Sequence, residues 1–113
     1  MPWLFSYGTL QEAPQQRRAF GRVLRAVPDS LPGYALDTVS IVDPAVRQEL
    51  GIDRFSNVVA GLSPDASVTG LALDVTPEEL KLADAYEAPY RYERIEVVLS
   101  SGREAWVYRY AGP

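Results

Sequence analysis

The hydrophobic pattern of the C-terminal half of the sequence changes periodicity twice, from strand to helix and back to strand, and this order restricts the fold. Residues 67–75 alternate apolar Val and Leu with small or polar residues, which predicts a half-buried strand. Residues 76–79 (Thr-Pro-Glu-Glu) place an N-cap, a proline at the first helical position and a capping-box glutamate in order, which predicts a helix start. Residues 91–99 and 103–110 alternate again around a short polar loop and predict a terminal hairpin. This order favours an α+β fold with a largely antiparallel sheet.

The helix that follows the capping box is predicted to be amphipathic and to run to about Tyr86. Its apolar stripe contains Leu82, Ala83 and Tyr86, with Leu80 near the edge. Asp84 is expected on the polar surface of this helix. The stripe is therefore the predicted contact with the sheet.

The N-terminal half contains shorter predicted elements separated by Gly and Pro. Residues 51–66 carry Gly, Ser, Pro and Asp and are predicted to be mostly loop, with a brief strand at 57–60. Strands therefore dominate, in a sheet that is either open or closed into a barrel. Four further elements are predicted: a buried strand at Trp3–Tyr7, a helix at Gln11–Phe20, a strand at Gly33–Val42, and a short helix that Asp43-Pro44 begins and Gly51 ends.

The composition excludes several kinds of chemistry. The 113 residues include no Cys and no His, which excludes disulfides, thiolate zinc sites and Ser-His-Asp machinery. The formal charge of −4 disfavours nucleic-acid binding. No apolar run reaches the roughly 18–20 residues of a membrane span, and no signal peptide is evident. We therefore expect a single cytoplasmic domain over residues 1–113, without nucleic-acid or membrane partners, as a monomer or weak homodimer.

The first candidate site is the loop after the first predicted strand, at Tyr7-Gly8-Thr9-Leu10. A strand that runs through Gly8 into a helix leaves backbone N–H groups unpaired, and these can hold an anion. Gly8 also lets a ligand approach the backbone closely. Because strand–Gly–helix turns are common, the sequence leaves an ordinary turn open as the alternative.

The second candidate is Glu87, at the C-terminal end of the predicted amphipathic helix and at the rim of its apolar stripe. Burial and the helix dipole would both raise the pKa of this carboxyl group. A carboxyl group with a pKa near neutrality suits general acid–base catalysis. The alternative is a solvated acidic residue beside a turn.

Several short motifs occur in an order that resembles the gamma-glutamylcyclotransferase-like, or AIG2-like, family. The resemblance spans nearly the whole chain, and the ordered combination is more specific than any single piece. The matching segments are Leu4–Leu10, Phe20-Gly21-Arg22, Leu31-Pro32-Gly33-Tyr34, Val68-Thr69-Gly70-Leu71, Ala83-Asp84-Ala85-Tyr86-Glu87, and Tyr92 with Arg94 and Val97 at the family spacing.

This resemblance implies a fold, an activity and a substrate class. The implied fold is a small mixed, largely antiparallel β-barrel flanked by a few short helices. The implied activity is intramolecular aminolysis, in which the α-amine of a small gamma-glutamyl compound attacks its own γ-carbonyl. The products would be 5-oxoproline and a released amine or amino acid. No metal and no cofactor are implied.

The resemblance also implies roles for individual residues. Glu87 would be the general acid/base. Either Tyr90 or Tyr92 could fill the tyrosine position, and Tyr92 is favoured because Arg94 and Val97 follow it in phase. The residues implied to bind substrate are Tyr7, Gly8, Thr9, Leu10 and Tyr92.

Two other functions fit the same residues. The first is a non-catalytic module that binds a small molecule in the same pocket. The second is a hydrolase or lyase that acts on another gamma-linked amide. A fold-level resemblance does not separate these from the cyclotransferase.

Overall fold

The computed structural model describes residues 2–40, 44–50 and 54–111. It contains seven strands, three α-helices and two 3₁₀ turns within these ranges. In chain order these are β1 (Trp3–Ser6), a 3₁₀ turn (Thr9–Gln11), α1 (Ala13–Phe20), β2 (Ala26–Pro32), β3 (Tyr34–Ser40), α2 (Pro44–Leu50), β4 (Arg54–Ala60), β5 (Ser67–Asp74), α3 (Pro77–Glu87), a second 3₁₀ turn (Ala88–Tyr90), β6 (Tyr92–Val98) and β7 (Glu104–Tyr110).

Five strands form one mixed sheet in the order β2-β5-β1-β7-β6, and β3 and β4 form a separate two-stranded sheet. Strands β1 and β7 are parallel and every other pair is antiparallel. The predicted α+β class and largely antiparallel pairing are therefore confirmed. Closure into a barrel is not confirmed, because in the described ranges the larger ladder ends at β2 and β6. The chain turns out of this ladder at Gly33, whose φ of 81° carries it from β2 into the two-stranded sheet of β3 and β4, which are joined through α2 and are called the β3–β4 hairpin below.

The two faces of the large sheet bury different partners, as the two-residue period of a strand requires. Leu4 faces the helices and the next residue, Phe5, faces the β3–β4 hairpin. The helix-side cluster contains Leu4, Leu10, Phe20, Leu24, Leu73, Val75, Leu80, Ala83 and Tyr108. The hairpin-side cluster contains Phe5, Leu31, Val58, Val68, Ala72, Leu99, Ala105 and Val107.

Local signals at the helix ends explain where the helices begin and end. Thr76 and Glu79 form the predicted capping box at the start of α3. Pro14 lies in the first turn of α1, and Gly21 ends that helix with a φ of 78°. Helix α2 begins at Pro44 as predicted. The predicted cap at Asp43, the helix end at Gly51 and the end of the predicted strand at 41–42 lie outside the described residues.

Three details differ from the sequence-based expectation. Strand β2 was not predicted, because Pro28 and Pro32 are unusual within strands; it is tolerated here because β2 is an edge strand. Strand β4 is longer than the predicted 57–60 segment. Leu82 was placed wrongly: it is 47% exposed, whereas Leu80 is 6% exposed, so the buried stripe of α3 is rotated toward Leu80.

Gly70 in β5 allows the end of β1 to approach closely. A Cβ atom at Gly70 would lie 2.3 Å from the carbonyl oxygen of Ser6, so no larger residue fits without a shift of the backbone. This close contact helps to fix the point at which the chain leaves β1.

No helix in the described ranges combines the length and the apolar character needed to cross a membrane.

Candidate active site

The segment after β1 presents unpaired backbone donors. The carbonyl of Gly8 accepts from the backbone N–H and from the side-chain amide of Gln11, both at 3.2 Å. The carbonyl of Thr9 accepts from the N–H of Glu12 at 3.0 Å. Within the part of the chain that the structure describes, the N–H groups of Gly8, Thr9 and Leu10 donate to no acceptor. The carbonyls of Gly8 and Thr9 are therefore bonded within the protein, whereas the three neighbouring N–H groups have no acceptor among the described residues, an arrangement that suits an anionic ligand.

Gln16 of α1 anchors this segment from below. Its side-chain amide donates to the carbonyl of Leu10 at 3.0 Å and accepts from the N–H of Leu24 at 2.8 Å. Gln16 is only 3% exposed, so both bonds are shielded from water. Gln16 thus links the Leu10 end of the segment to α1 and to the chain at Leu24.

Glu87 lies at the last residue of α3 and is half-buried. Burial raises the pKa of its carboxyl group from 4.5 to about 7. The predicted direction of the pKa shift is therefore confirmed, and burial is its cause. A carboxyl group with this pKa exchanges a proton readily near neutral pH.

Glu87 and the donor segment share one inner cavity of about 40 Å³. This volume has room for roughly three water-sized groups. The lining residues are Leu4, Phe5, Ser6, Tyr7, Gly8, Thr9, Leu10, Glu87 and Tyr108. A titratable carboxyl group and free backbone donors therefore meet in one small, partly apolar space.

Two tyrosines close the inner cavity beside Glu87. The hydroxyl of Tyr7 donates to the carbonyl of Tyr108 at 2.7 Å. Burial, followed by the neighbouring Tyr92 and the Glu87 carboxylate, raises the pKa of Tyr7 far above its ordinary value. Burial and the hydrogen bond to Asp84 raise the pKa of Tyr108 in the same way. Both phenols stay neutral at physiological pH, so Glu87 is the group that titrates in this cavity.

The second predicted tyrosine, Tyr92, lies in an adjoining outer cleft instead of the inner cavity. This cleft has a volume of about 490 Å³ and shares the wall formed by Tyr7, Gly8 and Thr9. The hydroxyl of Tyr92 donates to the backbone carbonyl of Ser56 in β4. The cleft is lined by Tyr7, Gly8, Thr9, Gln11, Glu12, Arg54, Ser56 and Tyr92.

The structure thus brings together five of the six predicted site residues in the inner cavity and places the sixth, Tyr92, in the adjoining outer cleft. Tyr90, the alternative to Tyr92, lines neither space. The catalytic and binding roles of these residues remain predictions.

An ion-pair network behind the cavity was missed by the sequence analysis. The hydroxyl of Tyr108 donates to Asp84 at 2.6 Å, and Arg94 pairs with the same carboxylate at 3.1 Å. The Arg94 guanidinium also lies 4.4 Å from the centre of the Trp106 ring. Asp84 is therefore a partner of the sheet and not a free polar residue on the helix surface. The available signal was its position one helical turn before Glu87, on the side that faces β6 and β7.

A third space, a surface groove, lies at the opposite end of β1 from the inner cavity and the outer cleft. It has a volume of about 580 Å³ and is lined mainly by Trp3, Trp106, Glu96, Glu104 and their neighbours. The smaller cavity at Glu87 therefore has the stronger chemical case, because several polar groups converge there.

A family model described as gamma-glutamyl cyclotransferase, AIG2-like, matches residues 4–113. The chain belongs to this family. The match includes both the donor segment and Glu87, so the resemblance seen in the sequence is confirmed. A search of curated proteins returned no match.

Solved structures show the same fold. A protein described as gamma-glutamyl cyclotransferase is 16% identical, with a TM-score of 0.73, and the alignment covers 97% of this chain and 66% of that one. At5g39720.1 from Arabidopsis thaliana is 21% identical (TM-score 0.69), with coverages of 98% and 69%. The uncharacterised protein PH0828 from Pyrococcus horikoshii is 17% identical (TM-score 0.66), with coverages of 100% and 80%. At these identities the likeness concerns the fold alone.

Proposed function

We propose that this protein is a gamma-glutamyl cyclotransferase. It would convert a small gamma-glutamyl compound into 5-oxoproline and a free amine or amino acid. One observation carries the proposal: Glu87, whose pKa is about 7, shares a cavity with the free N–H groups of Gly8, Thr9 and Leu10. Membership of the family supports the same reaction class.

Glu87 is the proposed general acid/base. The α-ammonium group of the substrate gives a proton to the Glu87 carboxylate, and the freed amine attacks the γ-carbonyl carbon. A carbon–nitrogen bond forms within a five-membered ring, and the original amide carbon–nitrogen bond breaks. The proton on Glu87 passes to the departing nitrogen. The ring nitrogen then gives its surplus proton to the Glu87 carboxylate, from which it passes to the released amine, so that the ring keeps one N–H and Glu87 returns to its ionised form. Because nucleophile and electrophile belong to one molecule, the substrate itself supplies much of the required proximity.

The backbone donors stabilise negative charge on the substrate. The N–H groups of Gly8, Thr9 and Leu10 serve either the oxyanion formed during attack or the α-carboxylate of the glutamyl portion. Loss of one such donor from an oxyanion typically costs about 3 kcal/mol of transition-state stabilisation. Tyr7 closes the cavity over the glutamyl portion, and Tyr92 contacts the substrate at the mouth of the cavity. No cofactor or metal takes part in this scheme.

The substitution Glu87→Gln tests the proposal directly. It removes the proton acceptor and keeps the shape of the side chain, so 5-oxoproline release should fall by roughly 100-fold or more. Glu78→Gln is the matched control, because Glu78 is exposed on the same helix. The assay is mass-spectrometric detection of 5-oxoproline from a panel of gamma-glutamyl amines, dipeptides and glutathione.

The outcomes separate the candidate functions. Undiminished turnover by the Glu87→Gln variant would remove Glu87 from the mechanism. A ligand that raises the melting temperature and is never consumed would indicate the non-catalytic binding module instead. An open-chain glutamate product would indicate a hydrolase, because cyclisation is the signature of internal aminolysis.

A further inference from the structure

The outer cleft carries two opposite charges that are not paired with each other. Arg54, the first residue of β4, and Glu12, just before α1, both line it and are both exposed. Among the described residues, neither side chain forms an ion pair or a hydrogen bond. Surface arginines without partners are common, but this one faces a cleft that opens beside the reacting groups. Its guanidinium is therefore available to a ligand.

The sizes of the two spaces decide which part of a substrate reaches this cleft. This step rests on the proposed function. The inner cavity, at about 40 Å³, is much the smaller of the two and is lined by Glu87, so the reacting amine and carbonyl are assigned to it. The outer cleft adjoins it through the shared wall at Tyr7, Gly8 and Thr9 and offers about 490 Å³. The leaving group is therefore assigned to the outer cleft, whose lining includes Arg54 and Ser56 of β4.

We propose that Arg54 binds a carboxylate on the leaving group, so that the preferred substrates are gamma-glutamyl amino acids and not simple gamma-glutamyl amines. A guanidinium donates two parallel N–H bonds to a carboxylate, which gives both attraction and orientation. An uncharged amine offers this group nothing. Arg54 is thus a specificity-determining residue that acts on the released half of the substrate.

Glu12 restricts the same selection. Its carboxylate repels a second negative charge in the cleft, so leaving groups with one carboxylate are favoured over those with two. The cleft is electrically balanced when empty and gains one negative charge when such a substrate binds. Gamma-glutamyl-alanine is therefore expected to be a better substrate than gamma-glutamyl-aspartate.

A matched pair of substrates tests the role of Arg54. Gamma-glutamyl-alanine and gamma-glutamyl-ethylamide differ only in the carboxylate of the leaving group. The ratio of their kcat/KM values for 5-oxoproline release should be about tenfold in favour of the alanine compound, the effect of one charge-assisted contact at an exposed site. In the Arg54→Gln variant this ratio should fall to near one.

Two further variants serve as controls. Arg25→Gln removes an exposed arginine that lines neither space, and it should keep the ratio of the wild-type protein. Glu12→Gln should raise kcat/KM for gamma-glutamyl-aspartate relative to gamma-glutamyl-alanine. Melting temperatures of all variants check that each one is folded.

The failures of the two proposals can be told apart. If both substrates release 5-oxoproline equally well, or if Arg54→Gln leaves the ratio unchanged, the role of Arg54 is wrong and the proposed function stands. If neither substrate is turned over, the proposed function fails for this pair, and thermal shifts with the same two compounds decide the role of Arg54. A larger shift with gamma-glutamyl-alanine that Arg54→Gln abolishes would support that role, and equal shifts would overturn it.

Discussion

At the scale of single residues, the burial that raises the pKa of Glu87 also lowers the stability of the folded protein. Its pKa is about 7 in the folded protein, against an ordinary value of 4.5. Since each pKa unit corresponds to about 1.4 kcal/mol, keeping this carboxylate ionised in the folded protein costs about 3 kcal/mol. The destabilisation begins above pH 4.5, where the unfolded chain loses its proton, and reaches its full value above pH 7. Such residues are typical of functional sites, because folding alone would not select them.

The Glu87→Gln variant is therefore expected to be more stable than the wild-type protein at pH 8, by up to about 3 kcal/mol. The neutral amide carries no ionisation penalty, so the difference should shrink as the pH falls from 7 to 4.5. Urea unfolding of both proteins at several pH values measures this. Parallel stability curves over that range would show that Glu87 titrates normally in the folded state.

The sequence was sufficient to single out Glu87 and the donor segment as candidate site residues, but it did not point to Arg54 in the outer cleft or to the partners of Asp84. Glu87 follows from its place at the end of an amphipathic helix, and the donor segment follows from a glycine directly after a strand. Arg54 carried no such signal, because its position depends on how the β3–β4 hairpin meets the loop after β1. Asp84 was missed for the same reason: its partners, Arg94 and Tyr108, are distant in sequence.

At the scale of elements, the start of α3 is held in place by the hydrogen bonds and the ion pair of Glu79. Glu79 accepts from the N–H of Thr76 at 2.9 Å, and both of its oxygens accept from Arg22 at 2.8 Å. Glu79 is only 7% exposed. The hydrogen bond from the Arg22 guanidinium lowers the pKa of Glu79. This start orients the helix whose last residue is Glu87.

The Glu79→Gln variant is expected to lose about 1–2 kcal/mol at pH 7, where the charge-assisted bonds are intact. Because the pKa of Glu79 is lowered on folding, its contribution is present above pH 4.5 and is lost as the pH falls through the folded-state pKa. The variant and the wild-type protein should therefore converge in acid. Denaturant unfolding at pH 7 and pH 3 measures this, with Glu78→Gln as the exposed control. A constant difference at both values would exclude the ion pair as the cause.

Elements whose formation is signalled by neighbouring residues in the sequence were predicted. Elements that depend on contacts between distant segments were not. The capping box at Thr76 and Glu79 is complete within four residues, so α3 was correct in position and in its start. Strand β2 contains Pro28, Asp29 and Pro32, which disfavour strands locally, and pairing with β5 overrides that preference. The ladder that would have closed a barrel depends on contacts between distant segments, on which local patterns give no information.

At the scale of the whole molecule, side chains and not ladder bonds join the hairpin to the large sheet near the outer cleft. The amide oxygen of Asn57 in β4 accepts from the N–H of Tyr110 in β7 at 2.9 Å, and Asn57 is 8% exposed. The hydroxyl of Tyr92 in β6 donates to the carbonyl of Ser56, which like Asn57 lies in β4. These contacts hold the wall of the outer cleft that carries Arg54.

Asn57→Ala is expected to destabilise the protein by about 1–3 kcal/mol, because it leaves the partly buried N–H of Tyr110 without this acceptor. It should also raise KM more than it lowers kcat, since β4 borders the outer cleft and not the inner cavity. Thermal unfolding and steady-state kinetics measure the two effects. A fall in kcat with unchanged KM would show that the hairpin supports the reacting groups as well.

In the proposed roles, Arg54 on β4 would select the substrate and Glu87 on α3 would transfer the proton, so the two tasks would lie on separate stretches of backbone. If those roles hold, mutations in β4 are expected to alter which molecules are accepted without disturbing proton transfer. A homologue could thus acquire a different substrate specificity through substitutions in the β3–β4 hairpin alone. Divergence in selectivity among proteins of this shape should accordingly concentrate there.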